Sequence, residues 1–180
     1  GRRVTAKTQW DLLWGTPRSA TTDRLVYGPT AFQQLLPTLL DQTLETAETF
    51  LNPRPEDLVL DLYCGIGRGL TRWTTRSQTV IGVELSGESV DCARCNAPAA
   101  ELLRGTCENR LPQLTAAVKK MTEEPGKQGQ CLVYLNPPRT GLGQAVAHWL
   151  THTARPARIA YLSCSAGTLK KDLTHLTAAG

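Results

Sequence analysis

The residue pattern points to an α/β fold: a doubly wound, parallel-rich sheet with helices on both faces. Three observations carry this expectation. The apolar run Leu58-Val59-Leu60 passes through a glycine turn, Asp61 to Gly69, into an amphipathic stretch. Strand-like and helix-like patterns then alternate as five βα units, with no repeat or low-complexity tract. Residues with chemical potential collect just past the predicted strand ends. A chain of 180 residues fits one domain and is long enough to bury a core.

Residues 1 to 30 are irregular, punctuated by Trp10, Trp14, Gly15-Thr16-Pro17 and Gly28-Pro29. Residues 1–36 are therefore expected to be an arm laid across the sheet or the end of a preceding module, and 37–180 the domain proper. From Pro37 to Leu51 the apolar residues Leu39, Leu40, Leu44, Ala47 and Leu51 recur at helical spacing, and Asn52-Pro53-Arg54-Pro55 stops the helix. A strand at Leu58 to Leu62 leads to a helix over 68–76. The next, Thr79 to Val83, leads to a helix from Gly87 to Asn96 with Ser86 as its N-cap. A short strand at Glu101 to Leu103 precedes a helix around Pro112 to Met121, and residues 123–130 are polar and loop-like. Then come a strand from Cys131 to Leu135, a loop from Asn136 to Gly143, and a helix to about Thr153. A strand from Ile159 to Ser163 and a helix from Leu169 to Leu176 complete the pattern.

Composition narrows the function classes. No apolar run approaches the ~20 residues of a membrane span, and Gly1-Arg2-Arg3-Val4 leads into no apolar stretch, so a cytoplasmic protein without a secretory leader is expected. The six cysteines, at 64, 92, 95, 107, 131 and 164, fall mostly inside predicted elements, which suits reduced thiols. Cys92 and Cys95 form a CxxC without a second pair; helical spacing on a core face accounts for them, and no metal or iron–sulfur site is expected. The net charge of +4 is uneven: residues 1–30 carry +3, residues 139–180 carry +4, and the middle is −3. Basic ends around a mildly acidic centre are compatible with a polyanion footprint or with ordinary surface charge.

In such sheets ligands bind beyond the carboxyl ends of the strands, near the point where strand order reverses. The residues there are Asp61 to Gly67, Glu84, Gly105-Thr106-Cys107-Glu108, Asn136-Pro137-Pro138-Arg139 and Ser163-Cys164-Ser165. Gly65 and Gly67 let a ligand approach the backbone and permit φ angles costly to other residues. Leu70 stands where the dinucleotide pattern has its third glycine, and Asp61 lies four residues before Gly65. A carboxylate at that place suits a cationic ligand better than a phosphate, which favours S-adenosylmethionine over NAD; an ordinary strand-to-helix turn is the alternative. Glu84, 23 residues after Asp61, ends the second strand, where its carboxylate can accept both hydroxyls of a ribose. Pro137 and Pro138 stiffen the next loop, and the Asn136 amide can both donate and accept, as the edge of a planar base requires. Cys164 comes just before a helix N-terminus, a setting that favours a thiolate nucleophile, although an inert buried cysteine is the commoner fate of the residue type. His148, His152 and His175 show no partner spacing and are taken as helix-surface residues.

Together DLYCGIG, GVE followed eleven residues later by CNA, NPPRTGL and YLSCSAGTLKKDL resemble the RNA uracil-5 methyltransferases, which make 5-methyluridine in tRNA and rRNA. The likeness runs from about Tyr27 onward, and a cysteine motif after the Pro-Pro-Arg loop separates this family from most other S-adenosylmethionine enzymes. It implies a Rossmann-like class I methyltransferase domain, with the cofactor held by Asp61, Tyr63, Gly65, Gly67, Glu84 and Asn136. The upstream GPTAFQQ is similar to the family's Ser-Phe-Phe-Gln stretch and adds Gln34 to that set. The implied partner is tRNA or rRNA, with Asn136 and Pro137 against the base, Arg139 on a basic rim for the RNA backbone, and Cys164 as the nucleophile. Uracil C5 is too weak a nucleophile to take a methyl group unaided, and a Cys164 thiolate adding to C6 would activate it. The base must leave its stack for this, so a rigid pocket and a basic rim are implied.

Departures from the family pattern are specific. Asn136 stands for its Asp in Asp-Pro-Pro-Arg, Thr106 for an Asp near the third strand, and Ser165-Ala166 for Asn-Pro after the cysteine. The family's proton-abstracting glutamate lies beyond the last helix, and its RNA-binding barrel and iron–sulfur cysteines have no counterpart here, so the sequence reads as a fragment. Two other readings remain: a non-catalytic cofactor- or RNA-binding relative, and an adenine amino-methyltransferase suggested by Asn-Pro-Pro. The second lacks its usual aromatic after the prolines, where Arg139 stands, and gives Cys164 no task.

Overall fold

Five short apolar runs make one parallel sheet, and the chain winds outward from its centre twice. The computed structural model describes residues 19–20, 25–28, 37–123 and 128–178. A small antiparallel pair, β1 (Ser19–Ala20) and β2 (Val26–Tyr27), precedes α1 (Pro37–Leu51). There follow β3 (Leu58–Leu62), α2 (Arg68–Trp73), β4 (Thr79–Glu84), α3 (Gly87–Asn96), β5 (Glu101–Arg104) and α4 (Cys107–Glu123). The second half holds β6 (Cys131–Leu135), α5 (Gln144–Trp149), β7 (Arg158–Tyr161) and α6 (Ala166–Thr177). The sheet order is β5-β4-β3-β6-β7, every neighbour parallel, so the order reverses at β3 and β6. Asp61 lies opposite Gly82 on one side and Tyr134 on the other.

Layering follows from strand alternation. Leu58, Leu60 and Leu62 face α4 and α5 in one core, and Val59 faces α1, α2 and α3 in the other. All five residues of β3 and of β6 are buried, whereas the edge strands β5 and β7 are mostly half-buried. Strands covered on both faces favour near-continuous apolar side chains, which is why β6 and, apart from Asp61, β3 were plain in the sequence. Outside the core, a charge ladder ties α1 to α2: Arg68 makes a bidentate pair with Asp41 at 3.2 and 2.9 Å, and Arg72 and Arg76 reach Glu48 at 3.3 and 2.8 Å.

Several boundaries differ from expectation for local reasons. Helix α4 begins at Cys107, five residues before Pro112, because the Thr106 hydroxyl accepts the Asn109 N–H at 3.2 Å and caps it. Pro112 then sits in the second turn and forfeits one helical bond. Helix α6 begins at Ala166 rather than Leu169, which brings Cys164 within two residues of the helix. Helix α2 stops at Trp73, and α5 passes at Leu150 into a π-helical turn ending at Ala154, closed by Arg155 N–H on the Leu150 carbonyl at 3.0 Å. Ser86 caps α3 as anticipated, accepting the Ser89 N–H. The three histidines are exposed, but spacing does pair two of them: the His148 and His152 rings stack at 4.1 Å. Cys92 is buried whereas Cys95 is exposed, so only one of the CxxC pair lies on the core face. Trp10, Trp14 and Gln34 lie outside the described residues. Among the described residues no helix is long and apolar enough to cross a membrane.

Candidate functional site

The carboxyl edge of the sheet assembles the site from three loops. After β3 the backbone takes three left-handed residues in quick succession: Tyr63 at φ 67°, Gly65 at 55° and Gly67 at 85°. A Cβ on Gly65 would meet nothing within 4 Å, so this turn has an open side from which a ligand could reach the backbone. Glu84 lies beside it. Its Oε2 accepts the Gly65 N–H at 3.1 Å and its Oε1 accepts the Ser86 N–H at 2.7 Å. Each carboxylate oxygen keeps a lone pair that could accept a ligand hydroxyl.

Asp61 does not stand openly in the crevice. It is 1% exposed, beneath the glycine turn, with Oδ2 accepting the Trp73 indole N–H at 2.8 Å. Its Oδ1 has no partner among the described residues. Burial pushes its carboxyl up to about 7; the Trp73 bond opposes that rise and nearby Glu84 adds to it. The Tyr134 hydroxyl, on the paired residue of β6, is likewise buried without a partner, and burial with the Asp61 charge raises its pKa. A buried orphan carboxylate oxygen calls for a donor. A cationic or N–H-bearing group arriving from the crevice would supply one.

Tyr63 is half-buried beside the Cys107 thiol, which burial pushes up to about 12. In the loop after β6, Asn136 N–H reaches back to the Leu62 carbonyl at 3.4 Å, Pro137 is buried, and Pro138 and Arg139 are exposed. Beyond β7, Cys164 is exposed at the same sheet edge, one strand over from Asn136 and two from the glycine turn. Tyr161 lies near enough to Tyr63 and to Cys164 for their charges to be felt. The structure thus brings Tyr63, Gly65, Gly67, Glu84, Asn136, Pro137, Arg139 and Cys164 to one edge and puts Asp61 just below it. Neither of two hollows among the described residues is lined by the glycine turn, Glu84 or Cys164: an apolar groove of about 350 Å³ between α1 and the β6–β7 pair, which Tyr134 and Tyr161 help to line, and a polar one of about 400 Å³ beside α2.

Four residues that hold the site were not singled out from sequence. Trp73 supplies the only hydrogen bond to the Asp61 side chain among the described residues. Asn96 stitches the upstream strand to the glycine turn: its amide N–H groups donate to the Val26 and Ile66 carbonyls, both at 2.8 Å, and its Oδ1 accepts the Val26 N–H at 2.7 Å. Thr168 and Asp172 of α6 bond to the loop after β6. The available signals were slight: an amide within the CNA triplet, and one acid among basic residues in GTLKKDL.

Residues 24–179 match the family described as tRNA (Uracil-5-)-methyltransferase. A 23S rRNA (uracil(1939)-C(5))-methyltransferase of Marinomonas sp. (strain MWYL1) is 34% identical over 158 residues, covering 87% of this chain and 34% of the relative. A 23S rRNA (uracil(747)-C(5))-methyltransferase of Cronobacter sakazakii is 34% identical over 146 residues, 81% of this chain and 36% of the relative. The chain spans about a third of the length of these curated relatives. Among solved structures, the Pyrococcus abyssi tRNA (uracil-54, C5)-methyltransferase in complex with S-adenosyl-L-homocysteine superposes with a TM-score of 0.64 at 22% identity, over 91% of this chain and 38% of that one. A precorrin 8w decarboxylase of Methanobacterium thermoautotrophicum gives 0.60 at 14% identity, over 86% and 77%. At such identities the structural likeness speaks to the fold.

Proposed function

The chain belongs to the tRNA (uracil-5-)-methyltransferase family, and from that premise we propose that it serves S-adenosylmethionine-dependent methylation of uridine C5 in tRNA or rRNA. The observation that carries this reading is the exposed Cys164 at the same strand ends as the glycine turn, with the Asn136–Arg139 loop between them.

The residues present suit the cofactor. The orphan Asp61 Oδ1 is an acceptor in want of a cationic donor, which fits the ammonium of the methionine moiety. Glu84 fits the ribose hydroxyls, and Gly65 and Gly67 allow close approach, with Tyr63 and Asn136 flanking and Gln34 assigned from sequence alone. When bound, S-adenosylmethionine supplies the electrophilic methyl group that an activated C5 takes up.

The chain's own residues would do the activating. The Cys164 thiolate adds to uracil C6, forming the S–C6 bond and moving the C5=C6 electron pair onto C5 and O4. After C5 is methylated, a general base removes the C5 proton and the thiolate leaves as the double bond returns. Asn136 and the stiff Pro137 side of the loop would hold the flipped base, and exposed Arg139, Lys170 and Lys171 would meet phosphates.

Methyl incorporation from labelled S-adenosylmethionine into unmodified tRNA and rRNA tests this. Wild type is expected to label uridine C5, and Cys164→Ala to lose the label by a factor of about 10³ or more. Undiminished labelling in the variant would remove Cys164 from the mechanism. The non-catalytic alternative is motivated by Asn136 in place of the family's aspartate; cofactor binding without labelling of any RNA would favour it.

A further inference from the structure

Two loops of the proposed site are cross-tied by one face of one helix. Thr168 and Asp172 are four residues apart in α6 and therefore share a side of it. The Thr168 hydroxyl donates to the Arg139 carbonyl at 3.0 Å and pairs with the Ser165 hydroxyl, also at 3.0 Å. Asp172 is 1% exposed, and its Oδ2 accepts both the Leu142 N–H at 2.8 Å and the Tyr161 hydroxyl at 2.7 Å. Between these anchors Gly141 takes φ 80°, where a Cβ would collide with Asp172 Oδ2 and Thr168 Cγ2. The loop bearing Asn136–Arg139 is thus held at two points by α6. Tyr161, held by the same carboxylate, lies three residues before Cys164 on the strand that delivers the thiol.

A buried carboxylate is an expensive way to fill space, since an apolar side chain of similar volume would pack there without desolvating a charge. Directed acceptors are useful where two backbones must keep a fixed offset. We infer that Asp172, aided by Thr168, is a positioning residue for methyl transfer, fixing where the Cys164 thiol stands relative to the loop that holds the base. The inference rests on the proposed methyl-transfer reading, because addition to C6 is what requires that offset. A nucleophile misplaced by ~1 Å loses about a hundredfold in rate even though binding elsewhere persists.

Two readouts separate positioning from stability: the rate of adduct formation with 5-fluorouracil-containing RNA plus S-adenosylmethionine, and calorimetric affinity for S-adenosylhomocysteine. Asp172→Leu removes the acceptor at similar volume and is expected to slow adduct formation about tenfold to a hundredfold. Its affinity for S-adenosylhomocysteine should stay within about twofold, since the glycine turn is a separate site. Asp172→Asn keeps an oxygen for both donors and should restore most of the rate. If Asp172→Leu loses its fold, Thr168→Val, which removes only the hydroxyl, decides on the same two readouts. A wild-type rate in the folded acceptor-less variant, or a rate that falls only in proportion to cofactor affinity, overturns the inference alone. A wild-type chain that forms no adduct overturns the methyl-transfer reading and this inference with it.

Discussion

Asp61 is placed where its two charge states do different work. Burial without a second donor favours the neutral acid, with a pKa of about 7 against 3.8 for an ordinary aspartate. Between about pH 4 and 7 the folded chain therefore retains a proton that the unfolded chain has released. The ligand-free protein should lose stability as pH rises through that window, by up to roughly 4 kcal/mol, and level off above it. Urea unfolding at a series of pH values should show this slope, and Asp61→Asn should flatten it; an unchanged slope in the variant would mean that the carboxyl is not held neutral. A cationic ligand reverses the preference by favouring the carboxylate, so affinity for S-adenosylhomocysteine should rise as pH goes from 5 to 7 in wild type and not in Asp61→Asn. The Trp73 indole, the one group hydrogen-bonded to this acid among the described residues, keeps it from being wholly orphaned.

Helix ends and the side chains that bridge them decide how the loops meet. Asn96, the last residue of α3, gives β2 and the glycine turn a common anchor through three hydrogen bonds. Asn96→Ala should cost about 1–3 kcal/mol. Hydrogen exchange should quicken at Val26 while the β3 amides stay protected, and uniform quickening across both would refute a local anchor. The central strands of this fold were plain in the sequence because burial on two faces favours near-continuous apolar runs, as in β6 and, apart from Asp61, in β3. The starts of α4 and α6 were not, because the first depends on one threonine cap and the second follows a short serine-rich turn. Site legibility divides the same way. Gly65, Gly67 and Glu84 announce themselves by type and spacing at strand ends. Asn96, Thr168 and Asp172 act across 29 to 70 residues of sequence, and such contacts leave no periodic trace. Asp61 was legible as important, but its burial beneath the turn depends on Trp73, which the sequence offers only as one more apolar residue of α2.

Across the fold, the doubly wound topology puts the glycine turn, the Pro-Pro loop and the cysteine loop on three adjacent strands in that order, β3, β6 and β7. The uneven charge of the sequence, +3 over residues 1–30 and +4 over 139–180, is compatible with a polyanion partner or with ordinary surface charge. The shared crevice can be tested with 5-fluorouracil-containing RNA, whose fluorine cannot be abstracted as a proton and so traps the thiol adduct. The chain is incubated with that RNA and S-adenosylmethionine, digested, and analysed by mass spectrometry. The expected product is one peptide, spanning Cys164, that carries a methylated fluorouracil nucleotide and forms only when cofactor is present. An adduct on any other cysteine, or methylation of natural RNA with no covalent species at Cys164, would contradict a thiol and a methyl donor facing one base.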